Sequence, residues 1–280
     1  MRQLFFLLCV LLPALAVAQG AKREISHIAG SVYRFQNNFH YSVFAVTEAG
    51  ILVTDPIDRD AASWLSAELA KRFGKPVRYL VYSHDHADHI AGGEVFAEAG
   101  AIVIAHDNAK RWIAEERRPT AAPQITFSDR MSIELGGTTV ELIYTGRNHS
   151  DNSIVLRFPA ERLLFAVDFI PVETLAFRDF PVAYVEEWIE SLRRVEQLEF
   201  DQLVPGHGPI GRKEHVAMFR EYLQDLRGGV MSLVRAGKSL DEIKRELRLP
   251  RYESWARYKD FWELNVEGMY RDVIQHRRGN

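Results

Sequence analysis

The sequence predicts an α/β fold: two mixed β-sheets with helices packed outside, followed by a helical C-terminal segment. Three observations predict it. Short β-type runs alternate with amphipathic helical runs over most of the 280 residues. Several apolar runs end on a histidine or aspartate, as strands do when their ends gather at one rim of a layered α/β protein. From Arg212 onward the strand signals stop and only helical spacing remains.

Composition sets the outer limits. A hydrophobic content of 47% and a charged content of 26% are those of an ordinary globular chain, long enough for one large domain with an appendage. The formal net charge of -3 excludes a general basic nucleic-acid surface. At the N-terminus, Arg2 precedes an apolar run from Leu4 to Leu15, and Ala16-Val17-Ala18 is a small-x-small site. Residues 1–18 read as a signal peptide cleaved after Ala18, which implies a periplasmic or secreted protein with no stable membrane insertion. The run is short for an uncleaved bilayer span. Cys9, the only cysteine, lies inside it, so the processed chain carries no disulfide, thiolate ligand or cysteine nucleophile.

Glu24 to Gln36 and Tyr41 to Thr54 read as strands, joined by the turn-prone tip Asn37-Asn38-Phe39-His40. Ile51 to Asp55 reads as a further strand, stopped by Pro56, and Ala61 to Phe73 has helical spacing. Val77 to Tyr82 is a strand and Ile90 to Ala99 a helix. Ala101 to Ala105 is a short buried strand and Asn108 to Arg118 a helix. Ile125 to Leu135 and Thr138 to Tyr144 form a hairpin around Gly136-Gly137. Ser153 to Phe158 and Arg162 to Val167 form the next, Glu186 to Leu198 is an amphipathic helix, and Gln202 to Val204 a short strand. Glu214 to Arg227, Val230 to Ala236, Ser239 to Leu247 and Tyr252 to Arg277 read as helices, with Trp255, Tyr258, Phe261, Trp262 and Tyr270 as packing residues.

The densest chemistry lies between Val77–Tyr82 and Ile90–Ala99, in Ser83-His84-Asp85-His86-Ala87-Asp88-His89. So many groups that dislike desolvation at a strand end are costly unless a cation or solvent satisfies them. In an extended strand His84, His86 and Asp88 share one face and His89 the other; a tight turn instead splits them between two adjacent metals. Imidazole and carboxylate without thiolate suit zinc first, with iron and manganese as alternatives. Three more strand ends deliver such side chains: His149 in Thr145-Gly146-Arg147-Asn148-His149, Asp168 after Leu163–Val167, and His207 between two glycines in Pro205-Gly206-His207-Gly208-Pro209.

In the order Asp55, His84-x-His86-x-Asp88-His89, His149, Asp168 and His207, the chain resembles the metallo-β-lactamase-fold hydrolase superfamily. The resemblance implies an αββα sandwich over residues 19–212, with 213–280 as a helical extension. It implies two zinc ions per chain. His84, His86 and His149 would hold the first; Asp88, His89 and His207 the second; Asp168 would bridge them, as in the glyoxalase II-like and lactonase-like branches. Asp55 would support the histidine loop by hydrogen bonds, and Asp88 would be the catalytic carboxylate. The implied activity is hydrolysis of an acyl bond in a small-molecule ester, lactone, thioester or lactam by metal-bound hydroxide.

Departures from the pattern refine this. The bridging position is Asp168, where one β-lactamase subclass has cysteine. Phe169-Ile170-Pro171-Val172 is apolar where β-lactamases hold the drug's carboxylate, which sets lactams behind the other substrates. His149-x-Asp151-Asn152, in contrast, is similar to the turn after the third histidine in several β-lactamases. The walls are expected from Gln36–Tyr41, Phe169–Phe180 and the C-terminal helices. Two other classes share the ligand types: a mono-iron persulfide dioxygenase, and a non-catalytic metal-binding accessory of a periplasmic redox system. His27, His40, His106, His215 and His276 match no motif.

Overall fold

The computed structural model describes residues 20–275; the signal-peptide reading, Cys9 and His276 lie outside them. Two mixed sheets face each other. The first has seven strands in sequence order: β1 (Arg23–Ala29), β2 (Val32–Asn37), β3 (His40–Thr47), β4 (Gly50–Thr54), β5 (Val77–Val81), β6 (Ile102–His106) and β7 (Ile125–Phe127). The second has six: β8 (Arg130–Leu135), β9 (Thr138–Tyr144), β10 (Ile154–Phe158), β11 (Leu163–Phe165), β12 (Gln202–Val204) and β13 (Gly211–Arg212), in spatial order from β13 back to β8. Strands β4 to β7 run parallel, as do β11 and β12.

Alternation along the strands sorts the core into layers. Leu52, Val81 and Ile104 of the first sheet meet Leu142, Leu156 and Phe165 of the second between the sheets. Their neighbours Val53, Leu80 and Val103 face outward, under Leu65 and Leu69 of helix α1 (Arg59–Phe73). Every residue of β4 is buried, as expected of a strand covered on both faces. Beyond β5 come the short helices α2 (Ala87–Ile90) and α3 (Glu94–Glu98), then α4 (Asp107–Glu115) after β6.

The outer face of the second sheet is covered by α5 (Val185–Glu196), α6 (Glu214–Arg235), α7 (Leu240–Glu246) and α8 (Tyr258–Gln275). Leu164 and Val155 share one core with Leu192, Phe219, Leu226, Trp262 and Met269, so the C-terminal helices pack on their own chain. Trp255 and Trp262 are buried there, and Tyr258, Phe261 and Tyr270 pack against them. Among the described residues no helix is long and apolar enough to cross a membrane.

Several boundaries differ from those read in the sequence. Glu24–Gln36 is two strands, because Gly30 turns at φ +50°. Ile125–Leu135 is also two strands, one in each sheet; the chain crosses between sheets at Ser128-Asp129. The helix expected over Ile90–Ala99 breaks after Ile90, because Gly92 takes φ +84° and lies so close to Arg59 that a Cβ would meet its backbone at 2.5 Å. Helix α6 runs unbroken through Gly228-Gly229, where two helices were expected, because its buried stripe from Val216 to Val234 continues across them. The last helix begins at Tyr258 rather than Tyr252, after the left-handed Arg257 (φ +63°).

Candidate metal centre

Strand direction brings the chemistry together. β9, β11 and β12 point the same way in the second sheet, and β4 and β5 run parallel in the first. Their C-terminal ends meet along one rim. There Ile154 N–H donates to Ser83 C=O at 2.9 Å and Tyr41 N–H to Gly206 C=O at 2.7 Å, stitching one sheet to the other.

His84, His86, His149 and Asp168 form one group, in which one donor atom from each lies within 4.8 Å of the others. The rings of His84 and His86 are 4.4 Å apart, and His149 lies 5.0 and 5.1 Å from them. A second group, His89, Asp168 and His207, shares the aspartate. Asp168 Oδ2 sits 3.6 Å from His84 Nε2 and 3.2 Å from His89 Nε2, while Oδ1 sits 3.4 Å from His207 Nε2. One carboxylate therefore faces both groups. Asp88 stands outside it, 3.8 Å from His89 Nε2, with its side chain 55% exposed.

Close supports aim the rings. Ser83 Oγ lies 2.9 Å from His84 Nδ1, and Asn148 Oδ1 lies 3.0 Å from His149 Nδ1. Phe39 C=O accepts from His207 Nδ1–H at 2.9 Å. In each ring Nδ1 is occupied, which turns Nε2 toward the centre. Asp55 Oδ1 accepts from Ser83 N–H at 2.8 Å, and Oδ2 faces His89 Nδ1 at 3.7 Å. Asp55 (φ +32°) and Val167 (φ +23°), the residue before Asp168, both hold backbone that side chains rarely adopt. Strain of this kind persists where the surroundings over-determine it, often at functional sites. At Gly206 a Cβ would come within 2.8 Å of Asp168 Oδ1 and 2.9 Å of His89, so only glycine fits.

Electrostatics follow the burial. Burial, then the nearby His86, holds His84 well below the usual imidazole range; the same two causes push His149 down to about 3. Both are neutral donors at ordinary pH. Burial would also lower His89, but Asp168, by charge and hydrogen bond, and Asp55 hold it well above. Burial would raise Asp168, yet His89, His207 and His84 hold it well below the usual carboxylate value. Against a similar burial effect, the His40 hydrogen bond and the His89 charge bring Asp88 down to about 2.

A metal fits this donor set. His84 Nε2, His149 Nε2 and Asp168 Oδ1 are buried at the centre without a hydrogen-bond partner, an expensive arrangement unless a cation completes it. Neutral imidazoles around an ionised carboxylate are the donors zinc and related divalent metals take.

Spacing alone missed part of the surroundings. Ser83, Asn148 and the Phe39 carbonyl carried no metal signal, and their roles depend on strand register. His27 and His215 contact nearby carbonyls, at Gly30 and Arg212, and His106 reaches Ser128 C=O and stacks on Tyr144, 4.1 Å away. His40 is different: its Nε2 lies 3.3 Å from Asp88 Oδ2.

Two layered mixed sheets with abutting His/Asp groups at one rim define a metal-binding, hydrolase-type α/β fold. The chain belongs to the metallo-beta-lactamase superfamily, whose family model matches residues 42–207. It is 32% identical over 172 residues to the 2,4-dinitroanisole O-demethylase subunit alpha of Nocardioides sp. (strain JS1661), covering 60% of this chain and 52% of the subunit, about half its length. It is 27% identical over 188 residues to the metallo-beta-lactamase type 2 of Elizabethkingia meningoseptica, covering 63% of this chain and 74% of that enzyme. Among solved structures, a metallo-beta-lactamase from Pontibacter korlensis superposes with a TM-score of 0.67 at 20% identity, over 72% of this chain and 99% of that one, a likeness of fold.

Proposed function

We propose that the protein is an exported dinuclear zinc hydrolase that cleaves an acyl bond (ester, lactone, thioester or lactam) in a small molecule. The carrying observation is the Asp168 carboxylate, with one oxygen toward His84 and His89 and the other toward His207. His84, His86 and His149 would hold one ion, Asp88, His89 and His207 the other, with Asp168 between them.

Ions bound there would supply a water with a pKa lowered to about 7 and a Lewis acid for the scissile carbonyl. The chain does the rest. Asp88 is ionised and faces solvent, so it accepts a hydrogen bond from the attacking water and orients it. The Ser83, Asn148 and Phe39 contacts keep the imidazoles from turning. Phe169 stacks nearly parallel to His149 and its carbonyl accepts from Trp188 Nε1–H at 2.8 Å, so the ring has a buried apolar backing. The exposed Phe39, whose carbonyl holds His207, adds apolar surface at the rim, which favours a partly apolar acyl substrate. Cleavage of an aryl methyl ether, suggested by the demethylase subunit's name, belongs on the same test panel.

A second reading has its own support. His84, His149 and Asp168 lie in one donor group, and two histidines with one carboxylate also suit a single iron and oxygen chemistry on sulfur. Metal content separates the two. Two zinc ions per chain, with turnover of an ester, lactone, thioester or lactam lost in His84→Ala, Asp88→Ala and His207→Ala, are the expected results. One iron per chain with no acyl hydrolysis would replace the hydrolase by the dioxygenase.

A further inference from the structure

The tip of the β2–β3 hairpin brings one more donor to the rim. Beyond its contact with Asp88, His40 sets its ring edge-on to that of His207, with centroids 4.6 Å apart. One donor atom from each of His40, Asp88 and His207 lies within 4.8 Å of the others. His207 thus belongs to two three-donor sets: an inner one with His89 and Asp168, and an outer one with Asp88 and His40. The residues matched by the family model begin at 42, so His40 lies outside them.

The hairpin is tied to the loop that presents His207. Tyr41 N–H donates to Gly206 C=O and Phe39 C=O accepts from His207 Nδ1–H, at 2.7 and 2.9 Å. The Arg34 guanidinium donates to Gly208 C=O. Three contacts on three successive residues keep tip and loop in register, so His40 cannot drift from His207 without breaking them. An imidazole serving only to close a hairpin would bond a local carbonyl, as His27 does with Gly30. His40 instead turns Nε2 toward a carboxylate and a second imidazole, the pairing that divalent zinc takes.

We propose that His40 is a protein donor to the outer, solvent-facing cation, alongside Asp88 and His207. The inference rests on the two-cation reading of the site. Its consequence is that the cation adds a further tie to a hairpin tip already held by the His207 loop. Phe39, 83% exposed and adjacent to His40, is then held by that cation as well as by its own carbonyl bond to His207.

The test is calorimetric titration of the metal-free protein with cobalt(II) alone, on wild type, His40→Phe and His40→Ala. The phenylalanine keeps an aromatic ring against His207 while removing both nitrogens, so its folding is better guarded than that of the alanine variant. The first ion should bind all three proteins alike. The second should bind both variants about tenfold or more weakly, the scale seen when support around a metal is lost. Loading cadmium-113 into protein with nitrogen-15 histidine should show a one-bond coupling at His40 Nε2. Wild-type affinity for the second ion in His40→Phe, or weakened affinity with no such coupling in the parent protein, overturns the proposal while leaving the dinuclear site standing. A single cobalt per wild-type chain removes the two-cation reading and His40 with it.

Discussion

Asn152 and Asp85 clasp each other twice. Asp85 N–H donates to Asn152 Oδ1 at 2.9 Å, and Asn152 Nδ2–H donates back to Asp85 Oδ1 at 2.8 Å. Both residues are buried, and Arg118 reaches the other Asp85 oxygen at 3.2 Å. Asp85 stands between His84 and His86, and Asn152 three residues after His149. The clasp therefore sets the distance between the loops that supply the His84, His86 and His149 group.

Asn152→Ala should leave the Asp85 carboxylate and its backbone N–H each short of a buried partner. The expected cost is about 1–3 kcal/mol, since hydrogen bonds to charged groups weigh more than neutral ones. First-ion affinity should fall about tenfold or more. Chemical denaturation and a metal titration read the two effects separately, and unchanged first-ion affinity would deny the clasp any part in spacing the histidines.

Asp55 separates shape from charge. Asparagine there keeps an acceptor for Ser83 N–H and tolerates the left-handed backbone, whereas alanine offers neither. Asp55→Ala should cost about 2 kcal/mol, a fall in Tm of about 4–8 °C for a chain this size. Asp55→Asn should lose less in thermal unfolding. Equal losses would mean that the charge facing His89, not the Ser83 bond, is what matters.

Proton release should distinguish the two ions. In the metal-free chain His89 is held well above its usual pKa, so it carries a proton at neutral pH that a cation must displace. His84 and His149 are held below theirs and give up nothing. Affinity for the ion at His89 should therefore weaken as pH falls toward 6, and His84 and His149 should add nothing to the pH dependence of the other ion. Titration calorimetry in buffers of different ionisation enthalpy should find about one proton released with the second ion. No proton released with the second ion would contradict the assignment of charge to His89.

The C-terminal helices clamp the segment that follows Asp168. Asn265 of α8 is buried, donates to the carbonyls of Ala176 and Arg178, and accepts from Tyr222 O–H. The segment it clamps includes Arg178 and Phe180, both with positive φ. Asn265→Ala should cost about 1–3 kcal/mol and, with Phe169–Phe180 as the wall the sequence leads one to expect, raise KM more than it lowers kcat, because it touches none of the reacting groups. A fall confined to kcat would place the effect in the metal centre instead.

The primary structure alone determined the fold class and the chemistry of the rim. Periodicity distinguishes strand from helix because burial on one face is a local pattern, and His84-x-His86-x-Asp88-His89 is readable because its donors are neighbours in the chain. Only the tertiary structure decided which strands share a sheet. The run Ile125–Leu135 looks continuous, yet Phe127 ends one sheet and Arg130 begins the other, since pairing depends on partners far away in sequence. His40 and Asn152 show the same limit at the site. One is a hairpin-tip histidine and the other a turn asparagine until sheet packing sets them against Asp88, 48 residues on, and Asp85, 67 residues back. The residues that hold a ligand's orientation act by position in space, and that position exists only once the two sheets have closed.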